Sequence, residues 1–229
     1  MKLKSFFKRF FNKDILEKFN SPFNGEILVV KELSGKTVMR VGGISQSGGM
    51  VEKIWEIMFS QVKRQKSKVK SSLVLGLGAG TVAKILEEKW PGVKITGIEI
   101  DQVVIKIGKK YFGLDKIGKL KIIVGDAIQK ITNYQLPVAN HFFDLILIDL
   151  YCGQEFPKEA ESEKFLNGLK KILNKDGLII FNRLNFGNHK TRTAGFIQKL
   201  KKTFPKVAAK NTEFNLFISC GMSENLIDR

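Results

Sequence analysis

Three acidic residues and three glycines carry the chemistry legible in this chain of 229 residues. Gly76, Gly78 and Gly80 lie in LVLGLGAGT, directly after an apolar run. Glycine lets a strand turn sharply into a helix and lets a ligand approach the main chain. The helix opened by such a turn presents free N–H groups at its start. Glu99, followed by Ile100, closes the next apolar run, KITGIEI. It lies about 20 residues past the turn, the separation at which a carboxylate accepts the hydroxyls of a ribose. Asp126 and Ala127 follow KIIVG, where an acid can accept an exocyclic amine of adenine. Asp149, in FDLILIDL, ends a fourth run beside the same crevice. Helix capping explains a single strand-end acid, and Asp101 and Asp126 each precede a helix. Acids at three successive strand ends point instead to a nucleoside site.

These residues need a frame that brings strand ends together. From Leu73 onward apolar runs alternate with helical patterns. The strands are LVLGL, KITGIEI, KIIVG, FDLILIDL, GLIIFNRL and NLFISCG. Helices are expected after Gly80, Asp101 and Asp126, from about Lys158 to Leu173, and around Thr191 to Thr203. Near-continuous apolar strands indicate a parallel sheet covered on both faces, and the alternation gives a doubly wound α/β fold. Ligands of such folds bind outside the carboxyl ends of the strands, at the switch point. Three regions are expected: an amphipathic helix over residues 1–24, a small β-rich unit over 25–70, and the nucleoside-binding domain over 71–229. In the middle unit GEILVVKELSGKTVMRVGG reads as two strands around a turn at Ser34-Gly35. Ser45 to Gly49 reads as a flexible loop, and a helix runs from about Met50 to Val62. KRQKSKVKSS reads as a basic connector.

The spacing of the turn narrows the ligand. The dinucleotide fingerprint is G-x-G-x-x-G, whereas here it is G-x-G-x-G followed by Thr81. That pattern resembles the first motif of class I S-adenosylmethionine enzymes, which implies a Rossmann-like, mostly parallel, seven-stranded sheet. The chain from about Glu26 onward is more narrowly similar to the spermidine synthase family. VMRVGGISQSGGMVEKIWEIM, LGLGAGT, GIEID, GDA and FDLILIDL follow in that family's order. The resemblance implies that Gln46 touches the nucleoside, Glu99 the ribose, and Asp126 with Ala127 the adenine of S-adenosylmethionine or its decarboxylated form. Asp149 matches the acid that takes a proton from an attacking amine. No metal is implied.

The departures bear on the reaction. Aminopropyltransferases carry an Asp inside the glycine turn; this chain has Ala79. Their second fourth-strand Asp is Cys152, and their Tyr is Trp55, whose indole nitrogen only donates. A polyamine pocket must neutralise several ammonium groups, so these losses argue against a diamine acceptor. Methyl transfer from intact S-adenosylmethionine to a small acceptor is the leading expectation, with Asp149 as base. Aminopropyl transfer, and a non-catalytic nucleoside- or nucleic-acid-binding module, are the alternatives. Trp55 is either an aromatic wall of the acceptor site or a core residue, and Tyr151 lines that site by adjacency. Arg183, Asn185 and His189 follow the fifth strand and either contact the acceptor or are solvated. His141 reads as a surface or capping residue, and Cys152 as a small space-filler.

A net charge of +17 attracts nucleic acid or acidic membrane, unless it is spread over solvated faces. Nucleic acid is not favoured, because no aromatic-rich single-strand platform is visible. Two cysteines form no disulfide framework or zinc knuckle and fit a reducing cytoplasm. No run is long enough to span a bilayer. The N-terminal aromatic face packs on the domain, on a partner in a homodimer, or on a membrane surface.

Overall fold

The computed structural model describes residues 14–60, 69–133, 135–136, 142–153, 155–212 and 215–222. Two sheets make up the frame. The smaller contains β1 (Asp14–Ser21), β2 (Gly25–Lys31), β3 (Thr37–Val41) and β4 (Ile44–Ser47), all antiparallel and in sequence order. The larger contains β5 (Ser71–Leu75), β6 (Lys94–Glu99), β7 (Leu120–Val124), β8 (Phe143–Ile148), β9 (Leu173–Leu184), β10 (Lys206–Asn211) and β11 (Asn215–Gly221). Its order is β10-β11-β9-β8-β5-β6-β7. Strands β5 to β9 are parallel and β11 runs antiparallel to β9. The order reverses on either side of β5, so the crevice at its carboxyl end opens between β5, β6 and β8.

Helices α1 (Gly49–Ser60), α2 (Thr81–Lys89), α3 (Gln102–Tyr111), α4 (Ala127–Thr132), α5 (Glu163–Ile172) and α6 (His189–Thr203) cover the sheets. Apolar strand residues point both ways: Leu73 and Leu75 into one cluster, Val74 into the other. That division is the physical meaning of a continuous apolar run. Among the described residues no helix is long and apolar enough to cross a membrane.

The fold corrects several expectations. Asp14–Ser21 is a strand, not the second half of a helix, and pairs with β2 along most of its length. Ile15 and Phe19 fit a helical spacing, but Glu17, Phe19 and Ser21 also alternate with exposed neighbours, and the free edge of β2 selects that period. The first half of the expected helix lies outside the described residues, as does most of the basic connector. Ser45 to Ser47 is not a loop: Gly42 and Gly43, both with positive φ, reverse the chain into a β3–β4 hairpin. Gln46 therefore sits on a strand. Helix α5 starts only at Glu163, where Ser162 accepts from the Phe165 N–H; Lys158–Glu161 is a separate 3₁₀ turn. β10, too polar to stand out in the sequence, pairs along β11.

Helix α1 joins the two parts. It follows the small sheet, yet Trp55, Met58 and Phe59 enter the same cluster as Val74, Leu77 and Leu86. Burial of side chains this size contributes about 1.5–3 kcal/mol each. Two polar clamps add to it. The buried Asp101 carboxylate caps α3 at the Val103 N–H and accepts from Ser21 and Asn24 of the first turn. Ser47 accepts from the Ala79 N–H at 3.1 Å, and Gly48 donates to Thr81 at 2.9 Å. The small sheet is thereby fixed directly over the glycine turn.

Candidate active site

The glycine turn is built by close packing. Gly76 has φ +83°, and a Cβ there would lie 2.3 Å from the Asp149 carbonyl oxygen. Only a residue without a side chain lets β5 turn against the end of β8. The N–H groups of Gly76 and Leu77 both donate to the Ile98 carbonyl, which ties the turn to β6. At Gly80, φ +100°, a Cβ would lie 2.5 Å from Leu114. Gly80 is not among the residues that line the crevice; its positive φ and the nearness of Leu114 favour glycine there.

Above the turn lies a cavity of about 460 Å³. It gathers Gln46, Gly76, Gly78, Glu99, Ile100, Asp126, Ala127, Asp149 and Tyr151 on one wall system. Glu99 is buried, accepting from the Gly78 N–H at 2.8 Å and the Asp101 N–H at 3.0 Å. Burial pushes its pKa up, opposed by those two N–H groups. Asp126 does what the capping alternative required: one oxygen accepts from Ile128 and Gln129 at the start of α4. It also faces the cavity, so capping and lining coexist in one carboxylate. Asp101 caps α3 and anchors Ser21 and Asn24, and is not among the residues that line the cavity.

The charge of the lining is opposite to that of the molecule. Glu99, Asp126, Asp149 and Glu159 line the cavity, and among the described residues no Lys, Arg or His does. In a chain of net charge +17 this is an acidic cleft in a basic protein. A pyrophosphate would meet carboxylates without a counter-charge, whereas hydroxyls, amines and a cation would each find an acceptor. These donors and acceptors fit a nucleoside sulfonium such as S-adenosylmethionine.

Asp149 follows the end of β8, half-buried, and lines the cavity. Asn182 Nδ2 donates to one of its oxygens at 2.8 Å and Trp55 Nε1 to the other at 3.3 Å. Burial pushes its pKa up to about 6, held down in part by those two donors. A carboxylate titrating near neutrality suits a proton acceptor. Trp55 is at once a core residue and part of a cavity wall. It is fully buried against Phe59 and Phe217, and it lines a second cavity of about 330 Å³. That cavity meets the first at Gln46, Asp149 and Tyr151. The Tyr151 hydroxyl accepts from the Leu184 N–H at 2.8 Å and donates to the Asn182 carbonyl at 3.1 Å. Burial raises its pKa.

Other expected contacts are not brought to the crevice. Arg183 is buried, paired with Glu161 at 2.9 Å and stacked on Phe156 and Phe196; burial lowers its pKa. Asn185 donates to Asn211 at 2.7 Å. His189 packs edge-on to Phe186 at the start of α6. Cys152 is exposed at the cavity lining. His141 lies outside the described residues. Ala79 is buried with Ile27, Val29, Met39, Val104 and Ile107; Met39 and Val104 line the cavity and Ala79 itself does not. Asn182 and Asn215, hydrogen-bonded at 2.8 Å, were missed. The signal for Asn182 is a polar residue inside an apolar strand run, LIIFNRL; Asn215 opens the run NLFISCG.

Comparison with known proteins agrees with this geometry. Among curated sequences the chain is 28% identical over 161 residues to an eEF1A lysine and N-terminal methyltransferase homolog of Drosophila melanogaster, covering 68% of this chain and 24% of that protein. It is 27% identical over 173 residues to a probable polyamine aminopropyl transferase of Bifidobacterium longum, covering 71% of this chain and 37% of that protein. The chain thus spans well under half of either relative. Among solved structures, a spermidine synthase in complex with the transition state analogue AdoDATO superposes with TM-score 0.73 at 18% identity, covering 93% of this chain and 74% of that one. Human methyltransferase-like protein 13 in complex with SAH superposes with TM-score 0.66 at 19% identity, covering 78% of this chain and 85% of that one. These likenesses establish the class I methyltransferase fold. The spermine/spermidine synthase domain model matches residues 49–220, three quarters of the chain, and the protein belongs to that family.

Proposed function

We propose that the protein is an S-adenosylmethionine-dependent transferase that methylates an amine. The observation that carries this reading is the position of Asp149, half-buried and lining both cavities, with one side-chain donor on each of its oxygens. In this reading the first cavity holds the nucleoside. Glu99 accepts from the ribose hydroxyls, the free lone pairs of Asp126 from the adenine amine, and Gln46 closes the cavity from β4. Gly76 and Gly78 leave the main chain bare for the ligand, and Ile100 and Ala127 flank the ring. S-adenosylmethionine, when bound, supplies a carbon made electrophilic by its sulfonium. Asp149 takes the proton that an acceptor amine must release, and Asn182 and Trp55 hold its two oxygens in place. Positioning and a base are most of what such a transfer needs. The relatives named as lysine methyltransferases support a nitrogen acceptor.

Aminopropyl transfer is a second reading, favoured by the acidic lining of the first cavity and by the relatives named as aminopropyl transferases. Against it stands Ala79, whose methyl packs among apolar residues where that chemistry places an acid. Calorimetry with S-adenosylmethionine and its decarboxylated analogue separates the two. Tighter binding of intact S-adenosylmethionine, and a 14-dalton gain on an amine acceptor, are expected; preference for the decarboxylated form reverses the order. The two free cysteines suit a reducing cytoplasm. Exposed Ile15 and Leu16 on β1 offer a face for a second copy in a homodimer.

A further inference from the structure

Resting on the first cavity as the donor site, we infer that the second cavity takes a single amine at the end of an apolar arm, not a diamine or an amino acid. Charge decides the inner end. Asp149 is the one acidic side chain lining this cavity among the described residues, and no Lys, Arg or His lines it. One ammonium entering here meets one carboxylate. A second ammonium meets none, and a carboxylate on the far end meets no cation.

Three of the uncharged polar groups are already engaged. Asn182 Nδ2 is committed to Asp149, and its Oδ1 accepts from Asn215 Nδ2. The Tyr151 hydroxyl is held by main-chain groups of Asn182 and Leu184. Trp55 Nε1 donates to Asp149. Each Asp149 oxygen accepts one bond and keeps a lone pair free. Ser45, Gln46 and Asn215 also line the cavity but are neutral, so among the described residues the carboxylate is the one anionic acceptor for an ammonium there.

The outer end is apolar. Ile44, Met50 and Phe186 line the cavity and remain 39%, 49% and 39% exposed. Val51 and Ile54 continue the wall inward, half-buried. Large apolar side chains left open around a cavity mouth gain by being covered. An alkyl or aralkyl arm covers them while its nitrogen reaches Asp149; a charged arm loses hydration against them.

Three amines of one length test this: hexylamine, 1,6-diaminohexane and 6-aminohexanoate. Trp90→Phe leaves Trp55 as the sole tryptophan of a chain that has two, and its N–H rests on the carboxylate that the amine must meet. Its fluorescence then reports binding without any turnover. Calorimetry on the unaltered chain repeats the series in case that variant folds poorly. Hexylamine is expected to bind at least about tenfold more tightly than the other two, a difference of about 1.4 kcal/mol. Asp149→Asn is expected to abolish the difference between hexylamine and hexanol, and Phe186→Ala to weaken hexylamine. Equal or tighter binding of the diamine, or no amine binding at all, overturns the inference. S-adenosylmethionine is titrated separately. If it fails to bind while the amine order holds, the proposed function falls and the amine cavity stands; if it binds while the order fails, the reverse holds.

Discussion

Replacing Asn182 with Leu removes the shorter of the two hydrogen bonds to Asp149, at 2.8 Å, while keeping side-chain volume close. A hydrogen bond to a charged group contributes roughly 1.5–3 kcal/mol. At about 1.4 kcal/mol per pKa unit, losing it raises the Asp149 pKa by about one to two units. From about 6 the carboxyl moves to about 7–8. Its ionised fraction at pH 7 then falls from about nine tenths to between about one half and one tenth. A rate that needs the carboxylate drops by about twofold to tenfold at pH 7 and converges on that of the unaltered chain near pH 9. The assay is the pH dependence of kcat/KM for methyl transfer, read on its acid limb. Asn215 loses its acceptor in this variant, so Asn182→Leu with Asn215→Leu serves as the control for an unpaired buried amide. An equal loss of rate at every pH, with the acid limb unmoved, would refute the assignment of Asn182 as a residue that positions and tunes Asp149.

Three further outcomes are expected. The Asp149 pKa lies above its ordinary 3.8 in the folded chain, so stability falls as pH rises from about 4 to about 6 and the penalty persists above. Asp149→Asn should then raise stability at pH 7.5 by up to about 3 kcal/mol and change it little at pH 3.5, by denaturant titration; a less stable variant at pH 7.5 counts against the burial argument. Asp101→Ala should cost about 3–5 kcal/mol, since it removes a helix cap and the anchor of Ser21 and Asn24. Hydrogen exchange over residues 14–21 should accelerate with it, and unchanged protection there contradicts the clamp. Ala79→Asp buries a carboxylate among Ile27, Val29 and Met39, at a cost of at least about 3 kcal/mol. It should lower the melting temperature without creating use of the decarboxylated donor, and gain of aminopropyl transfer contradicts that account.

The amino-acid sequence by itself determined the frame and the acidic wall of the first cavity. Apolar runs ending in Glu99, Asp126 and Asp149 each mark a strand end, because a buried parallel strand stays apolar until it leaves the sheet. The glycine turn is equally local: Gly76 is required where the Asp149 carbonyl approaches within a side chain's reach. Period misled where one spacing fits two structures. Ile15 and Phe19 suit a helix, and only the free edge of β2 makes residues 14–21 a strand. What tertiary structure alone decided was the surroundings of Asp149. Trp55, Asn182 and Asn215 come from α1, β9 and β11, distant in the chain and meeting only because the sheet order puts β8 beside β9 and β9 beside β11. The pKa of a carboxylate depends on burial and on donors brought from elsewhere, and neither is a property of the residues next to it in sequence. Arg183 makes the same point in reverse: a loop-edge cation in the sequence, it is turned inward by Glu161 and two phenylalanine rings that only packing assembles.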